Sequence, residues 1–119
     1  MSAEEHRRAD RVDRRVIARF RTSTVPDAAW LMSPLLDLSN GGAKFLSEYA
    51  FEMAEPVELQ LLLPSSPQPI VLTARVAWVK PGLRRLTEVG VTFRPADPAA
   101  QQALSQAVAY FLQRGQAES

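Results

Sequence analysis

The chain has 119 residues, with no cysteine and a single histidine, His6. Without thiols there is no disulfide framework, no cysteine-ligated zinc or iron-sulfur centre and no thiol nucleophile, which suits a reducing compartment. One imidazole excludes histidine-clustered metal sites and paired-histidine acid/base catalysis, leaving carboxylates, lysines and hydroxyls for any chemistry. No stretch approaches the ~18 consecutive apolar residues of a membrane span, and the opening Met-Ser-Ala-Glu-Glu-His is too acidic for a signal peptide. These absences point to a soluble, cytoplasmic protein with no metal or cofactor expected, and an enzyme reading is weak because Ser39 has only His6 as an imidazole base. What remains is ordinary for one globular domain: 46% hydrophobic and 23% charged residues. A chain of this length buries roughly 65% of the surface it exposes unfolded, enough for a single core.

The net charge of +1 hides an uneven distribution. Residues 1 to 21 hold seven arginines and four acids, a net +3, whereas the rest holds seven bases and nine acids, a net −2. Every base in the first segment is arginine, whose planar fork of donors fits phosphate oxygens or a guanine edge and stacks on flat rings. The first fourteen residues show neither hydrophobic period nor turn signature, so residues 1–14 read as a flexible basic arm and residues 15–114 as the folded domain.

Structure starts around Val16, where Val16, Ala18 and Phe20 alternate with Ile17, Arg19 and Arg21 at the period of a half-buried strand. Pro26-Asp27 supplies a turn. A second extended segment spans Ala29 to Asp37, with Pro34 confining it to an edge or a bulge. Asn40-Gly41 predicts a tight reversal through residues that tolerate positive φ, leading into Ala43 to Glu48. Glu55 to Leu63 and Ile70 to Val79 alternate cleanly around the proline-rich loop from Pro64 to Pro69. Pro81-Gly82 turns the chain into Leu86 to Phe93. About six strands with short connections predict an antiparallel sheet that closes, or nearly closes, into a barrel. The period then changes. Asp97 can cap a helix with Pro98 in its first position, Ala100, Ala103, Leu104, Ala107, Val108 and Phe111 share one face, and Gly115 marks the end.

Two clusters carry possible chemistry. Arg7, Arg8 and Arg11 allow a mobile segment to grip several oxygens of a small polyanion; they read equally as a solvated basic tail. In Asp37-Leu38-Ser39-Asn40-Gly41-Gly42, Asp37 can accept the N1 and N2 protons of a guanine, Ser39 can bond a phosphate or ribose, and the glycines permit close backbone approach. The same residues also build a hairpin turn.

Taken in order, the Arg-x3-Arg arm, the strand from Val16, the Asp-x-Ser-x-x-Gly turn and the closing Val89-Gly90-Val91-Thr92-Phe93 resemble the PilZ domain family over roughly residues 6 to 113. The resemblance implies a bacterial receptor for cyclic di-GMP built as a six-stranded β-barrel with a C-terminal helix. It places the arginine motif on Arg7 and Arg11, with Arg8 beside them, and the second motif on Asp37, Ser39 and Gly42. It also sets Trp78 beside the ligand, although the parity of Trp78 matches the apolar set Ile70, Leu72, Ala74 and Val76. Registers starting at Arg11 or Arg15 satisfy the arginine spacing too. The implied mechanism is recognition without catalysis: the arm orders around cyclic di-GMP and the new surface signals to a protein partner, with no nucleic acid and no membrane insertion involved. Two other readings stand beside it, a basic-arm binder of single-stranded nucleic acid and a PilZ-like interaction module that binds no nucleotide.

Overall fold

Strand alternation organises the chain from its first described residues. The computed structural model describes residues 15–64, 66–94 and 97–118. Its strands are β1 (Ile17–Thr22), β2 (Leu31–Pro34), β3 (Asp37–Leu38), β4 (Gly42–Ser47), β5 (Pro56–Leu62), β6 (Ile70–Pro81) and β7 (Thr87–Phe93), followed by helix α1 (Pro98–Glu118). All pair antiparallel in one sheet of order β2-β1-β5-β6-β7-β4-β3. This is the mainly β, antiparallel architecture with a C-terminal helix that was expected, built as a half-barrel sheet of seven strands where a six-stranded barrel was predicted. The extra strand arises because the segment predicted from Ala29 to Asp37 divides after Pro34, its first part pairing with β1 and its second with β4.

That break brings the two edges of the sheet together. Leu35 N donates to Val16 O at 3.0 Å and Leu36 N donates to Lys44 O at 2.8 Å, so adjacent residues reach opposite ends of the strand order. Ser33 Oγ accepts from Leu46 N at 3.2 Å and strengthens the same seam. Edge groups that would otherwise stay open are thereby paired.

The inward parity of every strand fills the interior. Ala18, Phe20, Phe45, Leu59, Leu61 and Val89 are almost completely buried. Phe20 and Phe45 pack with ring centres 4.3 Å apart, and Phe51 joins Phe20 at 6.1 Å. Burying side chains of this size contributes about 1.5 to 3 kcal/mol each. Leu104, Ala107 and Val108 add the buried face of α1. Asp97 caps that helix as expected, its Oδ1 accepting from Ala100 N at 2.8 Å. The helix passes Gly115 and runs to Glu118, beyond the predicted stop. One glycine costs a helix only about 1 kcal/mol, and the neighbouring Gln113, Arg114, Gln116 and Ala117 are good helix formers.

One carboxylate is buried with this framework. Glu55, 9% exposed, accepts from Thr22 Oγ1, from Tyr49 Oη at 2.8 Å and from Glu52 N at 2.8 Å, tying the ends of β1, β4 and β5 together. Burial works to raise its pKa, but these bonds, Thr22 first, outweigh it and hold Glu55 below the ordinary value of 4.5. A depressed carboxylate pKa stabilises the fold above the unfolded value, and that contribution is lost as pH falls through the lowered one. Glu55→Gln should therefore lower the melting temperature at pH 7. The gap from the native protein should close as the pH is taken below 4.5, measured by thermal melts across that range.

Candidate functional site

The turn between β3 and β4 is built by a side chain. Ser39 Oγ accepts from Gly41 N at 3.3 Å and from Gly42 N at 3.2 Å, and lies 3.3 Å from Gly42 O, while Ser39 N donates to Gly42 O at 2.9 Å. Neither Asn40 nor Gly41 adopts positive φ, contrary to the expected mechanism of reversal. The hydroxyl satisfies the turn's N–H groups, so left-handed residues are not needed. Gly42 is required for a different reason: a Cβ there would overlap the Val91 carbonyl oxygen on the adjoining strand. Two further bonds anchor the turn. Phe93 N donates to Gly41 O at 2.9 Å, and Ser105 Oγ on α1 lies 3.3 Å from Asn40 Oδ1.

Register decides which residues share a face. Leu38, Ala43, Val91 and Val76 stand opposite one another in turn, and all four are buried. The next residue of β6, Ala77, is an extra one: the pairing jumps from Val76↔Val91 to Trp78↔Gly90. This bulge reverses the parity of β6. Trp78, which simple alternation assigns to the core set, instead faces outward with 38% of its surface exposed. Its indole lies across Gly90, where a Cβ would overlap the Cε2, Nε1 and Cζ2 atoms.

The outward row consists of Asp37, Lys44, Gly90 and Trp78, cross-strand neighbours on β3, β4, β7 and β6. Three inter-strand spacings separate its ends, about 14 Å. An adjoining outward row sets Gly42 opposite Thr92 and Thr92 opposite Arg75. Asp37 is exposed, with Oδ1 accepting from Leu38 N at 2.9 Å. Glu88 Oε1 lies 3.3 Å from Lys44 Nζ and 3.7 Å from Lys80 Nζ, and Lys80 Nζ sits 5.2 Å from the centre of the Trp78 ring.

The expected site residues Asp37, Ser39, Gly42 and Trp78 are thus brought to one outer face. Arg7, Arg8 and Arg11 lie outside the described residues. The alternative register beginning at Arg15 would use Arg19, which is engaged elsewhere: its guanidinium lies 4.8 Å from the Trp30 ring centre and 3.5 Å from Gln60 Oε1. Sequence reasoning missed Lys44, Glu88 and the role of Gly90. Lys44 had a signal, as the outward cation between inward Ala43 and Phe45. Gly90 had another, since a glycine inside a strand marks close approach of something else.

Chemically, the face offers a flat aromatic surface, an exposed carboxylate, ammonium groups and a hydroxyl. These are the means to hold a planar, anionic molecule. Among the described residues there is no cluster of side chains able to hold a metal ion, and no helix is long and apolar enough to cross a membrane. The packing of Trp78 on Gly90 can be tested directly. Gly90→Ala should destabilise the fold by about 1 to 3 kcal/mol in the native background, and by much less when combined with Trp78→Ala. A four-variant cycle of denaturant melts measures the coupling.

Several solved structures share this architecture. MrkH from K. pneumoniae in its apo state superposes with a TM-score of 0.67 at 12% identity, covering 88% of this chain and 50% of MrkH. The inhibitor of motility MotI/DgrA of Bacillus subtilis gives 0.62 at 16% identity, covering 87% and 48%. The chain therefore spans about half the length of these two proteins. The PilZ domain of YcgR from Escherichia coli, solved with c-di-GMP, gives 0.63 at 14% identity over 87% of this chain and 86% of that domain. No curated protein matches the sequence. At these identities the superpositions establish the fold alone. The sequence itself carries the assignment further, because the family model for the PilZ domain matches residues 5–110, and the chain belongs to the PilZ domain family.

Proposed function

We propose that this PilZ domain is a receptor for cyclic di-GMP that binds without catalysis and passes the signal to a protein partner. The observation that carries the reading is the convergence of the Asp37–Gly42 hairpin and Trp78 on one outward face, achieved by the Ala77 bulge. The c-di-GMP in the solved PilZ domain of YcgR supports the choice of ligand.

In this reading Asp37 accepts the N1 and N2 protons of a guanine, Ser39 bonds a phosphate or ribose oxygen, and the Trp78 indole stacks on a purine or packs against its ribose. Gly42 keeps the hairpin backbone flush so that a ligand can approach. Arg7 and Arg11, with Arg8, supply guanidinium forks for phosphates and Hoogsteen edges. The arm's attachment point supports this role. Val16 O is bonded to Leu35 N, two residues before Asp37, so the arm joins the barrel beside the hairpin. Arg11 stands five residues before Val16, a reach of about 17 Å, comparable with the ~14 Å from Asp37 to Trp78. Ordering residues 1–14 over the ligand, against the folded unit 15–114, creates the surface a partner would recognise, at an entropic cost offset by charge-assisted bonds. Cytoplasmic location, the compartment of a diffusible nucleotide messenger, belongs to the same proposal.

Isothermal titration tests the reading. Cyclic di-GMP should bind saturably, whereas GTP and a short single-stranded oligonucleotide should not. Arg7→Ala and Arg11→Ala should each cost about 1.5 to 3 kcal/mol of affinity. Ser39→Ala should lose affinity and some melting temperature, because the hydroxyl also builds the turn, whereas Gly42→Val, which collides with backbone, should cost more stability still. Oligonucleotide binding with a steep salt dependence would instead identify a nucleic-acid binder. Absence of any binding would identify an interaction module.

A further inference from the structure

Lys44 stands opposite Asp37 in one ladder and opposite Gly90 in the next. Its side chain leaves the sheet on the face that carries Asp37 and Trp78, with one third of its surface exposed. On the Trp78 side the adjoining position has no side chain of its own, and the indole covers it. The ammonium group therefore belongs to the stretch of surface between the Asp37 carboxylate and the aromatic ring.

Its counter-charge is shared. The same Glu88 oxygen lies 3.3 Å from Lys44 Nζ and 3.7 Å from Lys80 Nζ. Glu88 is largely covered, at 17% exposure, whereas Lys80 is 59% exposed and lies beside the Trp78 ring. Two ammonium groups thus share the Glu88 carboxylate next to an exposed stacking surface, with Asp37 as a second carboxylate across from Lys44. The contact of exposed Lys80 with Glu88 is weak, and for Lys44 a phosphodiester oxygen is a competing acceptor of the same sign as the carboxylate.

Resting on the reading of the site as a cyclic di-GMP receptor, we infer that Lys44 is a further phosphate-binding residue and that Glu88 is its internal competitor. A phosphodiester entering between Asp37 and Trp78 takes Lys44 from Glu88, and Lys80 keeps the released carboxylate neutralised. Glu88 thereby sets the affinity: it holds Lys44 in place when the site is empty and opposes the ligand when it arrives.

The alternative is a cross-strand ion pair that only stabilises the sheet, and the two make opposite predictions for Glu88. Cyclic di-GMP is titrated into the full chain as native protein, Lys44→Met, Lys44→Arg and Glu88→Gln, with a thermal melt of each. Lys44→Met should weaken binding about tenfold and Lys44→Arg should restore most of it. Glu88→Gln should tighten binding about threefold, although it breaks the same ion pair and lowers stability in the same direction as Lys44→Met. Native-like affinity in Lys44→Met, or equal weakening in Lys44→Met and Glu88→Gln, would overturn the assignment of Lys44 while leaving the receptor reading intact. No binding by the native protein would overturn both.

Discussion

The outer face of this domain depends on one inserted residue. Alternation along β6 directs Ile70, Leu72, Ala74 and Val76 inward, and regular pairing of Ala77 would direct Trp78 inward as well. The bulge instead pairs Trp78 with Gly90, on the row that runs through Lys44 to Asp37. Moving an aromatic side chain from core to surface forgoes hydrophobic stabilisation, and the compensation here is local. The indole lies on a glycine of the neighbouring strand and keeps part of its surface covered. The result is a stacking surface on a rigid strand rather than on a loop, held at a defined distance from a carboxylate and a hydroxyl.

Closure of the sheet is the second constraint, and it sets the start of β1 beside the segment that leads into the hairpin. Leu35 and Leu36 bond to Val16 and Lys44, which belong to opposite ends of the strand order. The segment that seals the barrel is therefore also the one that leads into Asp37, with Val16 as its neighbour. The buried Glu55 network lies at the ends of β1, β4 and β5 and holds the same strands in register. Core, seam and candidate site are thus coupled through β1 and β4.

Electrostatics on the outer face are local as well. Arg21 pairs with Glu58 at 3.0 Å and stacks on Trp30 at 4.3 Å, so its charge is committed to the β1 side of the sheet. On the β4-β7-β6 side one carboxylate, Glu88, is shared by two lysines. The difference between these surfaces is invisible in a net charge of +1. It arises from which charges the register makes neighbours.

Much of this was legible in the residues. Period-two alternation located β1, β5, β6 and β7 to within a residue or two because one face of each is buried, and the Asn40-Gly41 reversal located β4. The Asp97-Pro98 start of α1 and the position of the Asp37–Gly42 turn were legible for a similar reason, since both are satisfied by side chains close in sequence. Other features were not. Gly115 reads as a stop, yet it costs too little to end a helix by itself. The division of the segment from Ala29 to Asp37 into β2 and β3 depends on bonds to Val16 and Lys44, far away in the chain. Nothing around Ala77 marks a bulge, because a bulge is a mismatch between two strands and neither strand contains it alone. The sequence by itself determined which segments are strands, which face of each is apolar and where the chain turns, because those follow from local chemistry. Only the tertiary structure decided that Trp78 faces outward, that Lys44 lies between Asp37 and the indole, and that Glu88 is shared by two lysines, because each depends on the register between strands distant in sequence.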